Sequence, residues 1–145
     1  MIGLLQRVQC ASVRVEGELI ARMDHGLLVL VGVTRDDSEA KAEQLAARLM
    51  GYRVFADDTG RMNRSVLDVA GGLLLVPQFT LAADTDSGTR ASFTPTAEPQ
   101  RARALFDHLV ATVRRTLPSV QTGQFGADMK VALVNDGPVT FWLET

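Results

Sequence analysis

At 145 residues the chain is the size of one ordinary domain, in which folding removes about 70% of the unfolded surface from water. Hydrophobic residues at 46% and charged residues at 22% exclude a disordered or fibrous protein, and a net charge of -2 excludes one that coats nucleic acid through its overall field. The longest apolar run, residues 27–33, falls far short of the ~20 residues of a bilayer-spanning helix, and the single cysteine, Cys10, excludes an intrachain disulfide.

Residues 2–21 alternate apolar and polar side chains around Glu16-Gly17-Glu18, which predicts a β-hairpin. Arg7 lies inside that alternation instead of ahead of an apolar block, so no secretory leader is expected and a cytoplasmic setting follows. The unbroken apolar run 27–33 reads as a central strand covered on both faces. Ser38 can cap a first helix carrying Ala42, Leu45, Ala46 and Leu49 at helical spacing, with Gly51 closing it. A strand over 52–55, a turn at Asp57-Asp58-Thr59-Gly60 and a buried strand over 73–76 follow. Residues 82–96 have little periodicity and form the longest loop, the expected place for ligand contacts. Pro99 opens a second helix whose stripe of Ala102, Leu105, Phe106, Leu109, Val110, Val113 and Leu117 ends at Pro118. Two strands, 131–134 and 139–143, complete the chain, joined by a turn at Asn135-Asp136-Gly137-Pro138. The pattern predicts one α/β domain spanning residues 1–145, a curved or barrel-like, mainly antiparallel β-sheet covered by two main helices.

Hydrolytic machinery of the familiar kinds is sparse. His25 in a predicted turn and His108 beside the helical stripe have no serine or cysteine motif near them, and Cys10 reads as a small core residue. No metal-ligand spacing, phosphate loop or dinucleotide fingerprint occurs, so neither metal nor cofactor is expected. What stands out is polar residues following buried strands. Pro77 cannot donate to a ladder, so pairing on that side is expected to stop or bulge there and to free the N–H groups of Gln78, Phe79 and Thr80, the kind of donors an oxyanion hole needs. An ordinary edge strand with polar residues on its wet face is the alternative. Gly137-Pro138 can form a rigid tip that presents backbone carbonyls, or a plain hairpin turn. Thr80 as a nucleophile lacks a base that the sequence can place beside it.

Taken together, Pro77-Gln78-Phe79-Thr80-Leu81 and Asn135-Asp136-Gly137-Pro138-Val139-Thr140 resemble the two signature motifs of D-aminoacyl-tRNA deacylases of the bacterial and eukaryotic type. Gln6-Arg7-Val8, Gly60-Arg61-Met62-Asn63, Gly123-Gln124-Phe125-Gly126-Ala127-Asp128-Met129 and Phe141-Trp142-Leu143 are similar to family segments in the family order, so the resemblance spans the chain. It implies an esterase that clears D-amino acids, and glycine mischarged on alanine tRNA, from the 3′ end of tRNA. It implies a homodimer, tRNA as the partner with no DNA and no membrane, and no cofactor. By the same resemblance the backbone N–H groups of Phe79 and Thr80 hold the ester oxygen while the RNA 2′-hydroxyl assists water. Gln78, Phe125 and Met129 contact the substrate, Gly137 and Pro138 reach in cis form from the partner to exclude L-side chains, and Arg7 and Asn135 support that motif. The chain departs from the family pattern at Pro77, where serine is usual, and in residues 86–93, so RNA contacts through that loop are not carried over.

Overall fold

The computed structural model describes residues 1–145. Strand β1 (Ile2–Val15) is the seam of the fold: one edge pairs with β3 (Gly26–Gly32) and, further along, with β2 (Glu18–Met23), while the other pairs along its length with β8 (Met129–Glu144), all antiparallel. Beyond β3 the sheet continues in parallel through β6 (Gly72–Pro77) to β7 (Gln121–Thr122). The sheet curls until β2 meets β6 and β7, giving the barrel-like shape that the sequence predicts. A separate ribbon of β4 (Phe55–Ala56) and β5 (Met62–Arg64) leaves the body after the first helix.

Two apolar layers explain why β3 and β6 are hydrophobic without alternation. Leu27, Val29, Val31, Leu73 and Leu75 face helices α1 (Glu39–Gly51) and α2 (Pro99–Thr116), whereas Leu28, Leu74 and Val76 face the barrel interior with Val8, Val13 and Met23. Strands buried on both faces have no wet side to alternate toward. The parallel pair begins where Gly26 and Gly72 lie so close that a Cβ on Gly26 would sit 2.7 Å from the Gly72 carbonyl carbon. Ser38 caps α1 by accepting from the Lys41 N–H, and α2 buries its predicted stripe from Ala102 to Val113, while Leu117 lies half-buried just past its end. No helix is long and apolar enough to cross a membrane.

Three expectations are corrected. The segment 131–143 is not two strands joined by a turn but one strand, β8, pairing with β1 on both sides of an extruded bulge. Of residues 52–55 only Phe55 belongs to a strand, because the chain must first turn away from the sheet to form the ribbon. Cys10 is exposed: an irregularity in the β1–β8 register between Val8 and Cys10 makes the next buried position Ala11, leaving Gln9 and Cys10 both outside.

Candidate active site

The bulge in β8 is built by side chains standing in for missing ladder bonds. Gln6 pairs with Thr140 and Val8 with Asn135, so the single residue Arg7 faces residues 136–139. The Asn135 amide closes the gap locally, its Oδ1 accepting from the Val139 N–H at 2.7 Å and its Nδ2 donating to Thr140 Oγ1 at 3.0 Å and to Gln6 Oε1 at 3.3 Å. Arg7 fills it from across the seam, donating through Nε to the Asp136 carbonyl at 3.0 Å and through Nη1 to the Val54 carbonyl at 2.5 Å. Its guanidinium is also 3.4 Å from Asp136 Oδ2. Gly137 and Pro138, joined by a cis peptide bond, protrude exposed from this clamp. Gly137 has φ +141°, and a Cβ there would lie 2.7 Å from Val139 Cγ2, so the position suits glycine.

The other motif sits where β6 ends. Pairing with β7 ends before Pro77, at Leu75 and Thr122, but the Gln78 N–H is not freed as expected: it donates to the Val31 carbonyl at 2.7 Å and adds one more rung beside β3. The chain then turns through a short 3-10 helix, Phe79–Ala82, closed by Leu81 N–H to the Gln78 carbonyl and Ala83 N–H to the Thr80 carbonyl. Phe79 and Thr80 head that turn, so their N–H groups have no acceptor within it. The Thr80 hydroxyl accepts from the Gln78 side-chain amide at 2.5 Å, and an amide donor is not a base that would activate it.

Phe79, more than half exposed, forms one wall of a groove of about 660 Å³. Phe125 and Pro77 line it too, with Phe93 and Arg35 from segments that the motifs do not single out. The Phe79 and Phe93 rings lie 5.3 Å apart, and Phe93 comes from the long loop, which folds back through the Asp84–Ser92 and Thr34–Thr96 bridges. Arg35 is held by donating to the Thr94 carbonyl. Gln78 borders a smaller recess that shares Phe79 and Phe125. Met129 stands behind this wall, its sulfur 3.3 Å from the Gln124 N–H, where Gly123 leaves room for it. An apolar groove with exposed aromatic faces and backbone donors at its rim suits a flat heterocycle joined to a carbonyl group.

No residue of the 135–140 segment lines that groove or its recess. Within one chain the two motifs therefore remain apart. His25 packs its ring 5.0 Å from Phe55, and His108 Nε2 lies 3.1 Å from Glu43 Oε1 between the helices, so neither histidine is in the groove. No group of three or more His, Cys, Asp and Glu side chains is gathered in the chain.

The family model described as D-Tyr-tRNA(Tyr) deacylase matches residues 4–144. Similar relatives include a protein named D-aminoacyl-tRNA deacylase from Thioalkalivibrio sulfidiphilus, 62% identical over 99% of this chain and 97% of its own. A protein of the same name from Alkalilimnicola ehrlichii is 60% identical over 99% of this chain and 96% of its own. Among solved structures, one titled c-Myc DNA Unwinding Element Binding Protein superposes with TM-score 0.95 at 34% identity, covering 100% of this chain and 99% of that one. Another, of a probable eukaryotic D-amino acid tRNA deacylase, shares the fold with TM-score 0.88 at 16% identity, over 99% of this chain and 98% of that one. A match over nearly the whole length, with both motifs in place, makes this chain a member of the D-Tyr-tRNA(Tyr) deacylase family.

Proposed function

We propose that the protein is a D-aminoacyl-tRNA deacylase, a carboxylic ester hydrolase that releases D-amino acids, and glycine mischarged on alanine tRNA, from the 3′-terminal adenosine. It works in the cytoplasm as a homodimer in which Gly137-Pro138 of each chain completes the groove of the other. The observation that carries this reading is the separation of the motifs: a protrusion clamped by Arg7 and Asn135 projects from the chain without touching its own Phe79 groove. A second copy is the simplest body for it to enter.

In this reading the adenine lies between the aromatic walls, Phe125 foremost, with Gln78 at the ester and Met129 setting the depth of the pocket. The N–H groups of Phe79 and Thr80 donate to the ester oxygen as it gains charge, a preorganised contact worth about 3 kcal/mol per donor in such sites. Water attacks with help from the neighbouring ribose 2′-hydroxyl, so no side-chain base or metal is required. Backbone carbonyls at Gly137 and Pro138 reject an L-side chain by its direction from Cα, whatever its chemistry. Side-chain breadth and strict handedness then coexist.

The test is hydrolysis of D-tyrosyl-tRNA and L-tyrosyl-tRNA in parallel, with a chelator present. The D-ester is expected to be cleaved at least about 100-fold faster, a difference of about 2.7 kcal/mol. Gly137→Ala displaces the tip and is expected to reduce that ratio about tenfold or more, since a displacement of about 1 Å can cost as much. Thr80→Ala keeps its backbone N–H and is expected to retain substantial activity; total loss with a trappable acyl-enzyme would make Thr80 the nucleophile. A second reading, a nucleic-acid-binding protein without turnover, is favoured by the name of the 34% identical solved structure. Hydrolysis of neither ester would select it.

A further inference from the structure

Beside Phe125 a second groove of about 440 Å³ runs between α2 and the end of the sheet, lined by Phe125 but not by Phe79. Arg103 and Arg114 line it with Asp107, Thr122, Gln124 and Phe125. The Arg103 guanidinium lies 5.9 Å from the centre of the Phe125 ring, so one aromatic wall is shared by the candidate substrate groove and this basic one. Elsewhere the arginines Arg7, Arg14, Arg35, Arg48, Arg64 and Arg101 donate hydrogen bonds within the fold. Arg103 and Arg114 donate none, as is also true of Arg22, Arg53, Arg61, Arg90 and Arg115, but these two line one groove together, with Asp107 one turn from Arg103 on the same helix face. Two guanidinium groups in one groove, neither donating a hydrogen bond within the fold, are suited to bidentate contact with phosphate.

The spacing indicates what kind of phosphate. Eleven residues of helix separate Arg103 from Arg114, about 16 Å along the axis at ~1.5 Å per residue. Two anchoring points that far apart along one groove suit a short run of extended single strand that starts beside the Phe125 pocket. We infer that the α2 groove carries the phosphodiester backbone of the unpaired 3′ nucleotides of tRNA, with Arg103 nearest the terminal residue and Arg114 further upstream. This rests on the deacylase reading for its choice of RNA. Asp107, between the two, opposes the strand and limits how tightly it is held, which favours release of the deacylated product.

The experiment is direct binding of an RNA minihelix with an unpaired 3′ end, titrated against salt, for wild type, Arg114→Gln, Arg115→Gln and Asp107→Asn. Arg114 is exposed and makes no bond in the fold, so its replacement leaves the fold intact. Losing one single-strand phosphate contact lowers the slope of log affinity against log salt by about 0.7, and Arg114→Gln is expected to show that change with several-fold weaker binding. Arg115, on the same helix but outside the groove, should leave the slope unchanged, and Asp107→Asn should tighten binding. An unchanged slope for Arg114→Gln, an equal change for Arg115→Gln, or no binding by wild type would overturn the assignment. Hydrolysis of D-tyrosyl-tRNA by wild type, measured alongside, reports separately on the deacylase reading: ester cleavage with no slope change discards the groove and keeps the enzyme.

Discussion

Asn135 shows how one side chain can hold a backbone feature that no ladder supports. Its amide engages Val139, Thr140 and Gln6, replacing rungs lost where residues 136–139 bulge out. Asn135→Ala leaves the half-buried Val139 N–H without its acceptor and is expected to cost about 1–3 kcal/mol in urea unfolding. The damage should extend to discrimination between D- and L-esters, because the tip at Gly137-Pro138 loses its support. Asn135→Asp keeps the acceptor for the Val139 N–H but loses the amide donations to Gln6, Val139 and Thr140, and should fall between wild type and Asn135→Ala. The motif residues were readable as turn formers, but their actual role was not. Nothing local in Asn135-Asp136-Gly137-Pro138 says that Arg7, far away in sequence, will fill the gap and let the strand continue.

At the scale of elements, the ribbon of β4 and β5 closes over one carboxylate. Asp57 accepts from the Thr59 hydroxyl and the Asn63 side-chain amide, and from the N–H groups of Arg61 and Thr59, which hold its carboxyl far below its ordinary value of 3.8. Its folded-state pKa is depressed, so the turn has its full stabilisation above that ordinary value and loses it progressively as pH falls from there through the lower, folded one. Backbone amide resonances of Thr59 and Arg61 are therefore expected to stay in place from neutral pH to about pH 3 and to move only below it. Asp57→Asn should remove that acid transition. This element was half legible: the Asp57-Asp58-Thr59-Gly60 turn follows from its residues, but the short strands do not, since only their pairing with each other defines them. The helices and β3 were more legible. Their apolar positions are fixed by period and by burial on both faces, which sequence carries directly.

For the whole molecule, the two ends of the chain meet at Asp37. Its buried carboxylate lies 2.5 Å from the Met1 ammonium and accepts from the Thr34 N–H at 2.7 Å, while the Met1 ammonium also donates to the Thr145 carbonyl at 2.7 Å. Lys41 Nζ is 3.5 Å away, and Arg101 of α2 donates to the Asp37 carbonyl. Asp37→Asn leaves the buried ammonium short of its counter-charge, and equilibrium unfolding is expected to show a loss of about 3–5 kcal/mol. No sequence pattern announces this junction, because an Asp-Asp-Ser segment before a helix reads as capping material. Ser38 does cap α1; Asp37 turns inward instead. The groove was legible only in part for a related reason. Phe79 lies in a motif, but Phe93 and Arg35 reach the same groove through the fold-back of the long loop.

The seam of the sheet also sets a timetable. β1 leaves the ribosome well before β8, and the edge that β8 covers stays open until residues 129–144 have been made. At about 5–20 residues per second, that is an interval of roughly 6 to 25 seconds. Throughout it, a fourteen-residue strand with Cys10 on its outer side offers unpaired backbone groups to any other nascent chain. Pairing between the first and last strands also gives the fold a high contact order, so its final closure is a slow step by topology alone.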